Sequence, residues 1–106
     1  MQLHIIPRWF PYLAIAIYPF ILVRKGRRLS ISMENHERIH FAQQIELFII
    51  LFFVWYVVEF LIRFIAYRFD WARAYENISF EREAYDKQYN HAYRAWRKPF
   101  AFLKYM

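Results

Sequence analysis

The sequence of 106 residues contains no cysteine and a single glycine, Gly26. The absence of cysteine rules out disulfide bonds and thiolate metal ligands, and it leaves the redox compartment undetermined. No glycine or proline occurs from residue 33 to residue 70, so no helix-breaking residue interrupts this stretch. The sequence also lacks a phosphate-binding loop, a nucleophile elbow and an internal repeat, which argues against enzymes built on those motifs.

The composition is apolar and aromatic for so short a chain. Hydrophobic residues make up 59% of the sequence, aromatic residues 24% and charged residues 23%, so apolar and polar stretches must be segregated. A chain of this length forms one domain with a modest core. We therefore expect the protein to lie in or on a membrane, or to present a large apolar face to a partner.

The stretch from residue 36 to residue 40, HERIH, is the most informative part of the sequence. In a helix, residues four positions apart lie on one face within roughly 6 Å, so His36 and His40 can share one zinc ion. Glu37 lies between them and can act as a general base on a zinc-bound water. Gln43 and Gln44 follow one turn later, where they can orient a ligand or contact substrate. Glu34 or Asn35 is the predicted N-cap of this helix.

A catalytic zinc ion usually has three protein ligands, so a third is needed. The candidates are Glu81 and Glu83, on a second helix that Asn77 or Ser79 can cap and that we predict to continue to about Lys98. These two glutamates point in nearly opposite directions on a helix, so only one can face the metal. Glu81 shares its face with small, semi-apolar residues and is the preferred ligand. Glu83 shares its face with polar residues, looks solvated and remains the alternative.

The pattern His36-Glu37-x-x-His40 followed by Glu81-x-x-Ala84 resembles the gluzincin-type zinc metallopeptidases. It is most similar to the membrane-bound group that includes the CAAX prenyl proteases and their bacterial heat-shock relatives, and it also resembles short uncharacterised bacterial zincin-like proteins. In that group the third ligand opens a Glu-x-x-Ala-Asp motif, which maps onto Glu81. Tyr85 stands where that motif has an acidic residue.

The fold class that we predict is mainly α, in a single zincin-like domain over residues 1–106 that is associated with a membrane. Its parts are an apolar segment (1–33), the motif helix with an apolar helical region (34–68), the third-ligand helix (69–98) and a basic-aromatic tail (99–106). Within the first part, residues 15–23 and 28–32 can pair as a β-hairpin around a turn at Lys25-Gly26. The resemblance favours such a hairpin, because zincins place an edge strand before the motif helix.

The apolar stretch from residue 45 to residue 62 is long enough to be a marginal membrane span. If it crossed a bilayer as a straight helix, Glu81 would tend to emerge on the opposite side from His40. A shared zinc ion therefore predicts that the chain reverses direction between about Phe52 and Asp70. Glu59 and Arg63 within this stretch are spaced to form an ion pair.

The net charge of +6 indicates an anionic partner. Basic residues interleaved with aromatic ones in the C-terminal tail are suited to a lipid surface, and nucleic acid ranks lower because no nucleic-acid fold signature is present. The positive-inside rule places the motif on the cytoplasmic side of a bacterial membrane. The Tyr85 hydroxyl is a candidate to stabilise a transition-state oxyanion, and the resemblance to gluzincins gives His91 the same candidate role.

The function predicted from these features is a membrane-associated zinc metallopeptidase that hydrolyses a peptide or protein substrate through zinc-activated water. Two alternatives stay open. One is a non-catalytic small subunit of a larger membrane protein complex, with a structural or vestigial metal site. The other is a basic binder of membrane or nucleic acid in which the motif occurs by chance.

Overall fold

The computed structural model describes residues 2–10 and 12–106, and Pro11, which falls within the predicted N-terminal apolar segment, lies outside the described residues. The described chain is mostly helical, with a small sheet at its N-terminus, so the mainly α part of the prediction is confirmed. Its elements are β1 (Gln2–Ile6), β2 (Ala14–Ile17), β3 (Phe20–Arg24), α1 (Ile31–Glu46), α2 (Ile50–Ala66), α3 (Trp71–Glu76), α4 (Ser79–Lys87), α5 (Tyr93–Trp96) and a final 3-10 helix (Ala101–Tyr105).

The sheet has the strand order β1-β3-β2, with β3 in the centre. A β-hairpin is present, but its predicted position was wrong: β2 and β3 pair around a turn at Tyr18-Pro19, whereas residues 28–30 form no strand. Strand β1 adds to β3 in parallel orientation. Side chains of β3 alternate between the two faces of the sheet. Ile21 and Val23 are fully buried on the face that packs in a cluster with Phe41 of α1, which fixes the orientation of this strand.

Helix α1 carries the motif and begins earlier than predicted. Ser30, in extended conformation, accepts a hydrogen bond from the backbone N–H of Met33 and is the N-cap. The predicted caps, Glu34 and Asn35, therefore lie inside the helix. Asn35 is buried and its amide donates to backbone carbonyls of Gln88 and Asn90, so it ties α1 to the residues that follow α4.

The chain bends by 112° between α1 and α2, although no glycine or proline is present there. Phe48 and Ile49 have φ angles of 56° and 59°, in the left-handed region that side chains with a Cβ rarely adopt. The break is earlier than the predicted reversal, and a second turn at residues 67–70 falls inside the predicted window. The break is stabilised by the burial of Leu47 in a cluster with Phe80 and Phe102.

Among the described residues, no single helix is long and apolar enough to cross a membrane. Only α1 and α2 taken together meet that requirement, as a bent pair.

Helix α4, which carries the candidate third ligand, is shorter than predicted. It ends at Lys87 instead of Lys98, and the chain then turns into α5. Neither predicted cap holds its N-terminus: instead Glu59 of α2, which is buried, accepts hydrogen bonds from the backbone N–H and the hydroxyl of Ser79. A carboxylate at a helix N-terminus is favourable, since the helix dipole is positive there. Glu59 also lies 3.7 Å from Arg63, so the predicted ion pair is present.

The C-terminal tail packs against α4 and α2 and completes the core. Phe102 is buried, and its ring contacts Phe80 of α4 and Trp55 of α2. The tail is therefore not simply a solvent-facing basic segment, although Lys98 and Lys104 are exposed.

Candidate metal centre

The motif places three buried side chains of α1 in one group. His36, Glu37 and His40 each offer a ligand atom, and these atoms lie within 4.8 Å of one another. The two imidazole rings have centroids 5.0 Å apart, as the helical spacing predicts. This His/Glu group can hold a metal ion.

Glu81 of α4 lies against both histidines of the motif. Its Oε1 lies 3.1 Å from Nε2 of His36 and 3.2 Å from Nε2 of His40. Two ligands bound at about 2.0–2.1 Å to a tetrahedral zinc ion are separated by roughly 3.3 Å, and both distances from Glu81 Oε1 are close to that separation. The nearest approach of Glu37 to His36 is longer, 3.9 Å. Glu81 thus lies closer to Nε2 of His36 than Glu37 does.

Both histidines are oriented through their other ring nitrogen. Nδ1 of His36 lies 2.8 Å from Oε1 of Gln88, and Nδ1 of His40 lies 2.7 Å from Oε1 of Gln43. An amide oxygen can only accept, so each Nδ1 carries a proton and donates it. With Nδ1 bonded to an amide oxygen, Nε2 is the nitrogen that faces Glu81, and a neutral imidazole in this tautomer would offer its Nε2 lone pair to a metal ion.

Glu83, the alternative ligand, is fully buried, so the expectation that it is solvated was wrong. Its two oxygens accept hydrogen bonds from Gln43, Tyr93 and Arg97. These bonds hold the carboxylate away from the two histidines. The Gln43 amide thus links Glu83 to His40, because it donates to one and accepts from the other.

The charges of the metal-free group are strongly coupled. Burial alone would lower the pKa of His40, but the carboxylate of Glu81 outweighs it and raises the pKa to about 9. For Glu81, burial alone would raise the pKa, but the two imidazoles hold that pKa well below its usual range. For Glu37, burial dominates and raises the pKa to about 7, although both histidines oppose the shift. Glu37 is therefore the carboxylate of this group that exchanges a proton most easily near neutral pH.

A cavity of about 320 Å³ opens beside the group. Glu37, His40, Gln44 and Glu81 contribute polar lining, and most of the other lining side chains are aromatic or aliphatic and come from β2, α2 and α3. The hydroxyl of Tyr56, on the α2 wall, donates to Oε2 of Glu81. Burial and the nearby Glu81 carboxylate raise the pKa of Tyr56 far above its usual range, so the hydroxyl remains a donor.

The other predicted site residues lie in different places. Gln44 accepts from the backbone N–H of Tyr18 and donates to the carbonyl of Ala16, so it fixes the β-hairpin against α1. The ring of Tyr85 packs against His36, with centroids 4.5 Å apart. His91 is exposed on the turn between α4 and α5.

Three residues around the centre were not predicted from the sequence: Tyr56, Gln88 and Arg97. Gln88 was recognisable, because it follows Glu81 by seven residues and so shares its helical face. Nothing in the local sequence distinguishes Tyr56 from the other aromatic residues of its apolar stretch. Arg97 belongs to a segment whose position depends on the turn after α4.

Comparisons with protein-family models, with curated proteins and with solved structures gave no match. The similarity to zinc peptidases therefore depends on the motif residues and on the buried His36-Glu37-His40 group.

Proposed function

We propose that the protein is a zinc-dependent hydrolase that cleaves a peptide bond of an apolar substrate, with His36, His40 and Glu81 as zinc ligands and Glu37 as general base. The observation that carries this proposal is the convergence of both Nε2 atoms on one oxygen of Glu81, at 3.1 and 3.2 Å. The donor set of two imidazoles and one carboxylate is typical of catalytic zinc sites that leave one position open.

The roles of the protein side chains follow from their positions. A bound zinc ion supplies a Lewis acid and lowers the pKa of a coordinated water. Glu37 would accept the proton from the attacking water and pass it to the leaving amine, a role that suits a carboxylate whose pKa lies near 7. Tyr56 keeps Glu81 oriented through its second oxygen.

The cavity supports an apolar substrate. Apart from Glu37, His40 and Glu81, most of its lining is aliphatic or aromatic, including Ile15 of β2 and Phe60 of α2. A side chain without charge would enter it at the lowest desolvation cost. We therefore expect cleavage next to an aliphatic or aromatic residue.

The first experiment is elemental analysis of detergent-purified protein, loaded with zinc and then dialysed. We expect about one zinc per chain in the wild type, a loss of zinc in Glu81→Gln, and retention in the matched variant Glu83→Gln, whose oxygens face Arg97. A wild type that binds no zinc would refute the proposal. Loss in Glu83→Gln alone would instead make Glu83 the ligand.

The second experiment measures cleavage of a fluorogenic peptide library by wild type and by Glu37→Gln. The variant should keep its zinc but lose about 10²–10⁴-fold in rate, since it lacks only the proton acceptor. Equal rates in the two proteins would indicate contaminating activity. Zinc binding without any activity would favour a non-catalytic subunit of a membrane protein complex.

A further inference from the structure

We propose that the outer face of α2 is a lipid-binding surface that inserts among the acyl chains at the surface of an anionic bilayer. This outer face consists of Leu51, Val54, Val58, Leu61, Ile62 and Ile65. Each of these side chains is 49–69% exposed, and with 3.6 residues per turn all six fall within roughly 100° of the helix circumference. The inference is independent of the metal centre.

The distribution of polarity on α2 is the reverse of that on an ordinary surface helix. A helix of a water-soluble domain turns its apolar side inward and its charges outward. The two charged residues of α2, Glu59 and Arg63, instead turn inward, where Glu59 caps α4 and pairs with Arg63. The exposed side carries no polar group over about four turns. An apolar patch of this size exposed to water is unfavourable and indicates an interaction surface.

The surroundings of the outer face carry positive charge. Glu59, the one acidic residue from Leu47 to Phe69, is buried, and Asp70 just beyond it is exposed but bonds the N-terminus of α3 as its cap. At the C-terminal end of α2, Arg68 is exposed, and so are the large aromatic side chains of Phe69 and Trp71. Alongside the first half of α2, the C-terminal tail contributes exposed lysines, because its Phe102 packs on Trp55.

These features favour a bilayer over a protein as the occupant. Protein interfaces contain about one hydrogen bond per 100–200 Å², and the outer face offers no side chain to make one. A second copy would bring another chain of net charge +6 against the first. Anionic headgroups complement the arginine and lysine side chains, and aromatic side chains are typical of the membrane boundary. The length of α2, about 25 Å for 17 residues, is suited to a helix lying along the surface.

Flotation with vesicles tests this inference through two charge-matched double variants. Val58→Glu/Ile62→Glu places two carboxylates on the outer face, whereas Ile31→Glu/Tyr89→Glu places them at exposed positions elsewhere. On vesicles of phosphatidylcholine with about 30% phosphatidylglycerol, we expect the first variant to bind at least tenfold more weakly than wild type and the control to lose about threefold or less. Equal losses, or wild-type binding in both, would refute the proposal. Glu81→Ala, which removes a proposed metal ligand, should bind vesicles like the wild type.

Spin labelling covers the case in which the first variant fails to fold. The chain has no cysteine, so Ile62→Cys and the control Ile31→Cys each take a single nitroxide. On vesicles, the label at position 62 should be accessible to oxygen and shielded from a water-soluble nickel chelate, and the label at position 31 should show the opposite. A label at position 62 that the chelate reaches would overturn the proposal. A label at position 62 shielded from both reagents would mean that a second copy or another protein covers the face, which would overturn it as well.

Discussion

The two histidines of the motif are held by glutamines of different origin. Gln43 belongs to the same helix as His40, whereas Gln88 comes from the end of α4 and bonds His36. A histidine without such a partner can rotate or take the other tautomer, which directs a proton instead of a lone pair towards the metal. The orientation of both imidazoles in the candidate metal centre is therefore set by these amides.

We predict that Gln43→Ala and Gln88→Ala each weaken zinc binding by about 10–100-fold, because the orientation of one imidazole is lost. Competition with a chromophoric chelator measures the affinity. Gln44→Ala is the matched control, since Gln44 bonds the hairpin and neither histidine. A similar loss in all three variants would show that the effect is general destabilisation.

We predict that zinc binding changes with pH at higher pH values than those expected for a histidine with an ordinary pKa. A free histidine suggests loss of activity below about pH 6, but Glu81 raises the pKa of His40 from 6.5 to about 9 in the metal-free protein. The ion pair therefore stabilises the metal-free fold fully below pH 6.5, and this stabilisation is lost as the pH rises through about 9.

Because zinc must displace the His40 proton, the apparent affinity should rise about tenfold per pH unit between roughly pH 7 and 9 and then level off. Calorimetry in buffers of different ionisation enthalpy measures the released protons. A pH-independent affinity over this range would contradict the coupling between His40 and Glu81.

At the scale of elements, the C-terminal segment supports the metal centre from a distance. Arg97 is almost fully buried and forms ion pairs with Glu46 at the end of α1 and with Glu83 in α4. Glu83 in turn accepts from Gln43, the partner of His40. One arginine thus connects both ligand-bearing helices to the last segment of the chain.

We predict that Arg97→Gln lowers the free energy of unfolding by about 3–5 kcal/mol, because the buried carboxylate of Glu83 and the partly buried one of Glu46 lose their charged partner. Chemical denaturation measures this change, and Lys98→Gln, at an exposed neighbouring position, should stay within about 0.5 kcal/mol of wild type. If both variants unfold alike, the ion pairs contribute little.

The position of the break between α1 and α2 could not be predicted from the sequence. No helix-breaking residue marks Phe48 or Ile49, and their positive φ angles are unfavourable locally. Burial of Leu47 with Phe52 and Phe80 supplies the compensation. Such a break follows from tertiary packing and is not visible in residue preferences.

At the scale of the whole molecule, the metal centre joins segments 41 and 45 residues apart. A metal that binds only when α1 and α4 meet stabilises the folded state alone. We predict that zinc at 100 times its dissociation constant stabilises the protein by about 2.7 kcal/mol, seen as a rise in the melting temperature that a chelator reverses. Glu81→Gln should show no rise. A rise of the same size in that variant would mean that zinc binds elsewhere.

The sequence by itself determined the local part of this protein. His36 and His40 are four residues apart, so a helix places them on one face, with Glu37 beside them. This placement depends only on the periodicity of the helical backbone. The assignment of the chain as mainly helical depends on the same kind of local pattern, whereas the strands of the N-terminal hairpin were placed wrongly.

Only the tertiary structure decided which distant groups meet. The burial of Glu83 by Arg97, the contact of Glu81 with both histidines and the bend before α2 depend on packing between elements far apart in sequence. The outward direction of the apolar face of α2 was decided in the same way. Periodicity shows that a helix has an apolar side, but what that side packs against is set by the free energy of the whole fold.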